Sequence, residues 1–277
     1  MDTTAKFIID YFTTIPSLHR GLILAGGITI FWIIENAFPF FKFQYNKRLH
    51  GLLNIFFTIT SIIVNFCLAF ILLTVSEFTT TYKFGLLHLL PQINFWIFTS
   101  IGLLLLDFIG AYMAHFTEHK VKFLWRFHLV HHTDTWVDTT SANRHHPGES
   151  VIRFVFTTIG VLAVGAPMWM VFLYQSLSVV FSQFNHANIV LPKKLDVFLS
   201  YIFVSPDMHK VHHHYKMPYT DSNFGNIFSV WDRLFGTFST LNRTELIYGL
   251  DTHPHENEHN QLKNLLSMPF QKIRTPE

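Results

Sequence analysis

Cysteine is nearly absent from this 277-residue chain. Its one thiol, Cys67, can form no intrachain disulfide and cannot build a thiolate zinc ribbon. Charge is scarce as well: Asp, Glu, Lys and Arg make up 14% of residues, against about 25% in ordinary soluble domains. The formal net charge is only +2, so no broad basic field exists to hold nucleic acid. Hydrophobic residues reach 49%, with 31 phenylalanines, and the mean hydropathy is +0.28. These values exclude a disordered chain and a coiled coil and point to the bilayer. No internal repeat or low-complexity segment is evident.

Three apolar runs meet the length of about 20 residues that a membrane helix needs: residues 21–40, 52–75 and 95–113. The first is interrupted by Glu35 and ended by Pro39, and the third carries Asp107. A fourth apolar region, residues 151–181, has Gly165 and Pro167 at its middle. Proline breaks or kinks a helix, so this region is expected to form a helical hairpin. The expected fold is therefore all-α: a membrane bundle of about three spans plus a hairpin, with a histidine-rich helical cap. Residues 1–94 are the N-terminal membrane helices, 95–240 a second region that starts at the third span, and 241–277 a polar tail, solvated from Asp251 onward. Residues 1–16 are too polar for a cleavable signal and are read as a short interfacial helix or a frayed end. Residues 195–204 are apolar but too short to span, and belong in the interface or on the cap. Lys42, Lys47, Arg48, Lys120, Lys122 and Arg126 fall on one side of the spans, and Lys6, Arg20 and Lys83 on the other. The excess of Lys and Arg places the first side, with the cap, in the cytoplasm.

What the chain has in excess is histidine: 18 residues, equal to Asp and Glu combined. Their spacing is informative. His115 and His119 form an HxxxH at the end of the third span, and on a helix positions i and i+4 share a face. His128, His131 and His132 form an HxxHH, and His209, His212 and His213 form another. His146 precedes Pro147, and His186 sits between Asn185 and Ala187. Ten imidazoles exceed the needs of one ion, since zinc takes about four ligands. They match two five- or six-coordinate ions with open positions. Imidazole suits iron, zinc, copper and nickel alike; iron is preferred because an oxidation in apolar surroundings needs a redox metal. A lone histidine is usually a surface or satisfied residue, and that reading is given to His19, His50, His88, His253, His255 and His259, with His145 and His214 left open. A hairpin at residues 151–181 crosses an even number of times and returns His186–His213 to the face that carries His115–His146. Asp107 is expected to orient a histidine or to make a helix-packing hydrogen bond. Asn188, Asp207 and Asn223 are further candidates for orienting roles, and Glu118, Glu149, Asp221 and Asp232 remain open. The His146-Pro147-Gly148-Glu149 segment is similar to a haem loop but has the wrong fourth residue.

The ordered set HxxxH, HxxHH, HxxHH after apolar spans resembles the fatty acid hydroxylase and sterol desaturase superfamily. Leu124-Trp125-Arg126-Phe127-His128, Asp221-Ser222-Asn223-Phe224-Gly225-Asn226 and Trp231-Asp232-Arg233-Leu234-Phe235-Gly236-Thr237 extend the resemblance across about residues 95–240. It implies a membrane non-haem di-iron enzyme that uses O2 and two electrons to hydroxylate, or alternatively desaturate, a C–H bond of a fatty acyl, sterol-like or polar lipid. By carry-over, His115, His119, His128, His131, His132, His146, His186, His209, His212 and His213 hold the two irons, with zinc able to replace iron in an overexpressed sample. The lipid would come from the bilayer. Electrons would come from a separate cytochrome b5-, ferredoxin- or reductase-type donor. The rival classes are a histidine-rich metal transporter and a structural zinc membrane protein. A transporter places its ligands at mid-bilayer in several spans, whereas here they cluster at one face.

Overall fold

The computed structural model describes residues 2–272 and 274, and among them the regular elements are all helices, with three isolated β-bridges and no strand. A short helix, α1 (Thr3–Thr13), is capped by Asp2, whose carboxylate accepts the Ala5 N–H at 2.7 Å. Its Ile8, Ile9 and Phe12 pack on the main apolar core. Four helices are long and apolar enough to cross a membrane. The first is α2 (Ser17–Ala37). The second is α3 (Lys47–Thr81), whose first turn is closed by the Asn46 side chain on the Leu49 N–H at 3.1 Å. The third runs over Phe95–Lys120 as α4 (Phe95–Asp107), a π-helical turn (Phe108–Met113) and α5 (Ala114–Lys120). A π turn inside a helix shifts every later side chain around the axis and is common at functional sites. The HxxxH of α5 follows directly.

The fourth is α7 (Pro147–Val164), which follows α6 (Lys122–His132) in the chain. It ends where the sequence predicts: Gly165 takes φ 75°, and Pro167 precedes α8 (Met168–His186). A Cβ on Gly165 would lie 2.4 Å from the Phe84 carbonyl oxygen, so glycine is required by both backbone and space. The hairpin α7–α8 thus returns the chain to the end it left. Large side chains such as Phe66 (82% exposed), Phe70, Ile63 and Ile33 face outward from α2 and α3. In water such a belt would be an association site; here it is the surface offered to lipid.

Beyond α8 come three short helices, α9 (Lys193–Leu199), α10 (Pro206–His212) and α11 (Val230–Leu234). The 195–204 stretch keeps Phe198, Tyr201 and Ile202 exposed, while Asp196 is buried against Ser205. The C-terminal segment differs from the solvated tail expected of it. After α12 (Glu256–Asn260), helix α13 (Leu262–Ser267) lays Leu265, with Met268 beyond it, on Leu129, Val130 and Phe57. Arg144, wholly buried, donates to the His259 carbonyl and, at 3.0 Å, to that of Val130. The polar residues 251–260 dominate the composition there and mask the apolar spacing of Leu262, Leu265, Leu266 and Met268, which is a helix face.

Candidate metal centre

Nine of the ten expected histidines converge in two groups. His115, His119, His128, His132 and His212 form the first, and His131, His186, His209 and His213 the second. Within each group one ring nitrogen per residue lies within 4.8 Å of the others. Imidazoles about 2.0–2.1 Å from one ion stand at most about 4.2 Å apart, so both groups have nearly the dimensions of a coordination shell. Typical separations are 3.0 Å between the Nε2 atoms of His115 and His128, and 3.1 Å between those of His131 and His186.

The HxxHH spacing has a purpose that the sequence did not reveal. On α6, His128 and His132 serve the first group while His131, between them, turns to the second. On α10 and the His213 that caps it the assignment reverses: His209 and His213 serve the second group and His212 the first. The two segments face each other, with ring centroids 4.6 Å apart for His132 and His212 and 4.7 Å apart for His131 and His213. Each triplet therefore straddles both sites and fixes them side by side.

The donor set fits metal ions. His119 Nε2, His212 Nε2 and both nitrogens of His213 are buried with no hydrogen-bond partner in the protein. A buried polar atom left so costs about 1–3 kcal/mol unless something else satisfies it. Burial, reinforced by neighbouring imidazoles, holds His131, His132, His209, His212 and His213 well below the usual 6.5. Burial also pushes His128 down to about 4, against the opposing pull of Glu149. All are thus neutral at pH 7, the form that ligates metal.

The rings are aimed by their second nitrogens. His115 Nδ1 lies 2.9 Å from the Phe224 carbonyl, His212 Nδ1 2.6 Å from that of Ser222, and His186 Nδ1 2.7 Å from that of Ser182. His128 Nδ1 lies 2.7 Å from Glu149 Oε1. That carboxylate also meets His145 Nδ1 at 2.6 Å and Arg153 Nε at 2.9 Å. Arg153 reaches Glu118 as well, at 2.9 Å, so one guanidinium balances two buried carboxylates.

His146, expected as a ligand, stands apart from both groups. Its Nδ1 accepts the Gly148 N–H at 3.0 Å and caps α7, where Pro147 occupies the first turn. The doublet's other member, His145, faces the centre: its ring stacks on His131 at 4.9 Å. The proline sets that choice, since a residue before proline at a helix start is held extended. The four expected orienting residues touch no histidine. Asp107 accepts the N–H groups of Ile227 and Phe228. Asn223 ties Met208 to Ser239. Asp207 pairs with Arg243, and Asn188 joins Phe41. Asp107 and Asn223 still bear on the site through the backbone. With Asp232, which accepts the N–H groups of Phe224 and Gly225, they fix the loop whose carbonyls receive His115 and His212. Such carbonyls carry no sequence signal. Glu149 had one, being four residues from His145 in a helix start, and Arg153 follows it by one more turn. His50 is a core histidine set between two carboxylates, its Nε2 2.9 Å from Asp134 and its Nδ1 3.3 Å from Asp138.

The fatty acid hydroxylase family model matches residues 99–237, half of the chain. Among curated proteins the chain is similar to an ornithine lipid hydroxylase of Rhizobium tropici, 29% identical over 50% of this chain and 40% of that protein. It is similar to the alkylglycerol monooxygenase of Caenorhabditis elegans, 30% identical over 60% of this chain and 31% of that one. A cholesterol 25-hydroxylase-like protein of Danio rerio is 29% identical over 49% of this chain and 53% of its own. The matched part is thus less than two thirds of each of these relatives. No solved structure matches. The region that matches the family model contains both histidine groups and every side chain that aims them, and the chain belongs to the fatty acid hydroxylase family.

Proposed function

We propose that this protein is an integral membrane di-iron monooxygenase that hydroxylates a C–H bond of a lipid. The observation that carries the reading is the pair of adjacent, nitrogen-only donor groups built from nine histidines, eight buried and His119 partly so. The net reaction is R–H + O2 + 2 electrons + 2 protons → R–OH + H2O. Iron bound by these residues supplies the redox chemistry that O2 requires. A structural zinc site would not use two interlocked shells.

The chain's own part is to bind, aim and seclude. His115, His119, His128, His132 and His212 hold one ion; His131, His186, His209 and His213 hold the other, with protein ligands fewer by one. Glu149 and the carbonyls of Phe224, Ser222 and Ser182 keep the rings of His128, His115, His212 and His186 in the tautomer that points a lone pair inward. Phe224, fully buried against His115, His119 and His212, keeps water from the first site. The shells lie at the ends of the spans, so a lipid can present its chain from the bilayer while its polar head stays at the surface. The relatives' names specify ornithine lipids, alkylglycerols and cholesterol, which share a long or bulky apolar body with a polar end. The excess of Lys and Arg in the flanking loops supports a cytoplasmic centre.

The test is product analysis. The iron-loaded protein in lipid nanodiscs, given a chemical reductant and 18O2, is expected to add one labelled oxygen to a lipid of the host's polar extract. Loss of two hydrogens without label would make it a desaturase instead. No lipid change in any extract would overturn the reading.

A further inference from the structure

Only two non-histidine aromatic rings among the described residues stand against the candidate ligands. Phe224 is buried completely. Trp125 is not: its indole lies 4.7 Å from the His119 ring, 5.3 Å from His132 and 6.0 Å from His128, and it is partly exposed. It lines a small surface cleft shared with Arg126, Lys272 and Arg274, and among the described residues no acidic side chain lines that cleft. Arg274 pairs with Glu258 nearby; among the described residues Arg126 and Lys272 meet no carboxylate, and exposed Lys122 lies one turn before Arg126 on α6. In a chain this poor in charge, a concentration of cations around the one ring that touches both metal ligands and solvent is a specific arrangement.

We infer that this cleft is the docking site of an acidic one-electron carrier protein, which sits over Trp125 and passes electrons through the indole to the five-histidine site. The inference rests on the oxygenase reading and adds to it a place and a partner chemistry. Each turnover consumes two electrons, two protons and one O2. Two reduced carriers therefore dock in succession, each leaving oxidised by one electron, and the products are R–OH and H2O. Opposite charge steers such an encounter and makes it sensitive to salt. Arg is among the residue types that dominate contact energies at such patches, whereas Trp125 is assigned to electron transfer.

The probe is a soluble acidic [2Fe–2S] ferredoxin, its affinity for the full chain in nanodiscs read by biolayer interferometry across a salt series. The double variant R126E/K272E is expected to raise Kd roughly tenfold and to flatten the salt dependence. The milder R126Q/K272Q should give a smaller shift in the same direction and guards against misfolding, because Arg126 also donates to the Pro269 carbonyl. Reversal of two basic residues elsewhere, K193E/K194E, should leave Kd unchanged. W125L should slow reoxidation of reduced ferredoxin under turnover far more than it changes Kd. Equal effects from the two charge reversals, or a Kd indifferent to Arg126 and Lys272, would overturn the proposal. Binding is measured without turnover, so it is decided separately from the oxygenase reading, which fails only if no lipid is oxidised with a chemical reductant.

Discussion

The two histidine groups interlock yet are not equally supported. In the five-histidine group three rings have an aimed second nitrogen: His115 on the Phe224 carbonyl, His212 on that of Ser222 and His128 on Glu149. In the four-histidine group only His186 is held so, on Ser182 and Asn185, while the Nδ1 atoms of His131, His209 and His213 have no partner. Partners of this kind raise ligand basicity and fix ring orientation, and their loss typically costs 10–100-fold in metal affinity. On the di-iron proposal the difference implies a division of labour: one site built to keep its ion, beside one with fewer protein ligands and looser rings, better able to accept exogenous groups.

The largest effect that can break this comparison comes from the ligands. His212→Ala and His213→Ala are neighbours on one segment but belong to different sites. Each is expected to lower product formation by at least about a hundredfold. Metal analysis should show H212A keeping the four-histidine site's ion and H213A keeping that of the five-histidine site. If both variants lose the same ion, the division drawn here is wrong.

Next in size is Glu149→Gln. It keeps the shape but removes the charge that aims His128 and balances Arg153. Affinity at the five-histidine site should fall about 10–100-fold, read by competition with a chromophoric chelator, with the other site less affected. Equal loss at both would show that Glu149 supports the whole assembly rather than one half.

Acid should separate the sites further. The imidazoles are held below 6.5 in the folded protein. The neutral, folded form is therefore favoured above pH 6.5. That stabilisation is lost as pH falls below 6.5, where the unfolded chain takes up protons that the folded one resists. Metal release and a falling Tm are expected together below pH 6.5, the four-histidine site emptying first. Simultaneous release would remove the asymmetry.

The smallest effect is expected at His146. His146→Ala should cost about 1 kcal/mol, as loss of a helix cap does, with the metal count unchanged. Chemical denaturation and metal analysis check the two parts.

The sequence made some of this legible and hid the rest for identifiable reasons. Apolar run lengths gave the spans, and Gly165 with Pro167 gave the hairpin, because both signals are local. Helical spacing gave the histidine boxes but not their division, since i, i+3 and i+4 positions share a face broadly and only the opposing helix decides which site each ring enters. His145 and His146 are adjacent and chemically identical; Pro147 and the helix start separate them. The carbonyls that aim His115 and His212 depend on Asp107, Asn223 and Asp232 holding one loop, which no residue spacing encodes. Leu265 and Met268 carry no compositional signal because polar neighbours outweigh them.

The most direct test of the central claim is metal content. The detergent-purified protein, grown with iron-57 in zinc-depleted medium, should carry about two irons per chain, with a Mössbauer spectrum of a coupled pair. One iron per chain, or zinc alone retained under those conditions, would contradict the di-iron account and return the site to a structural or transport role.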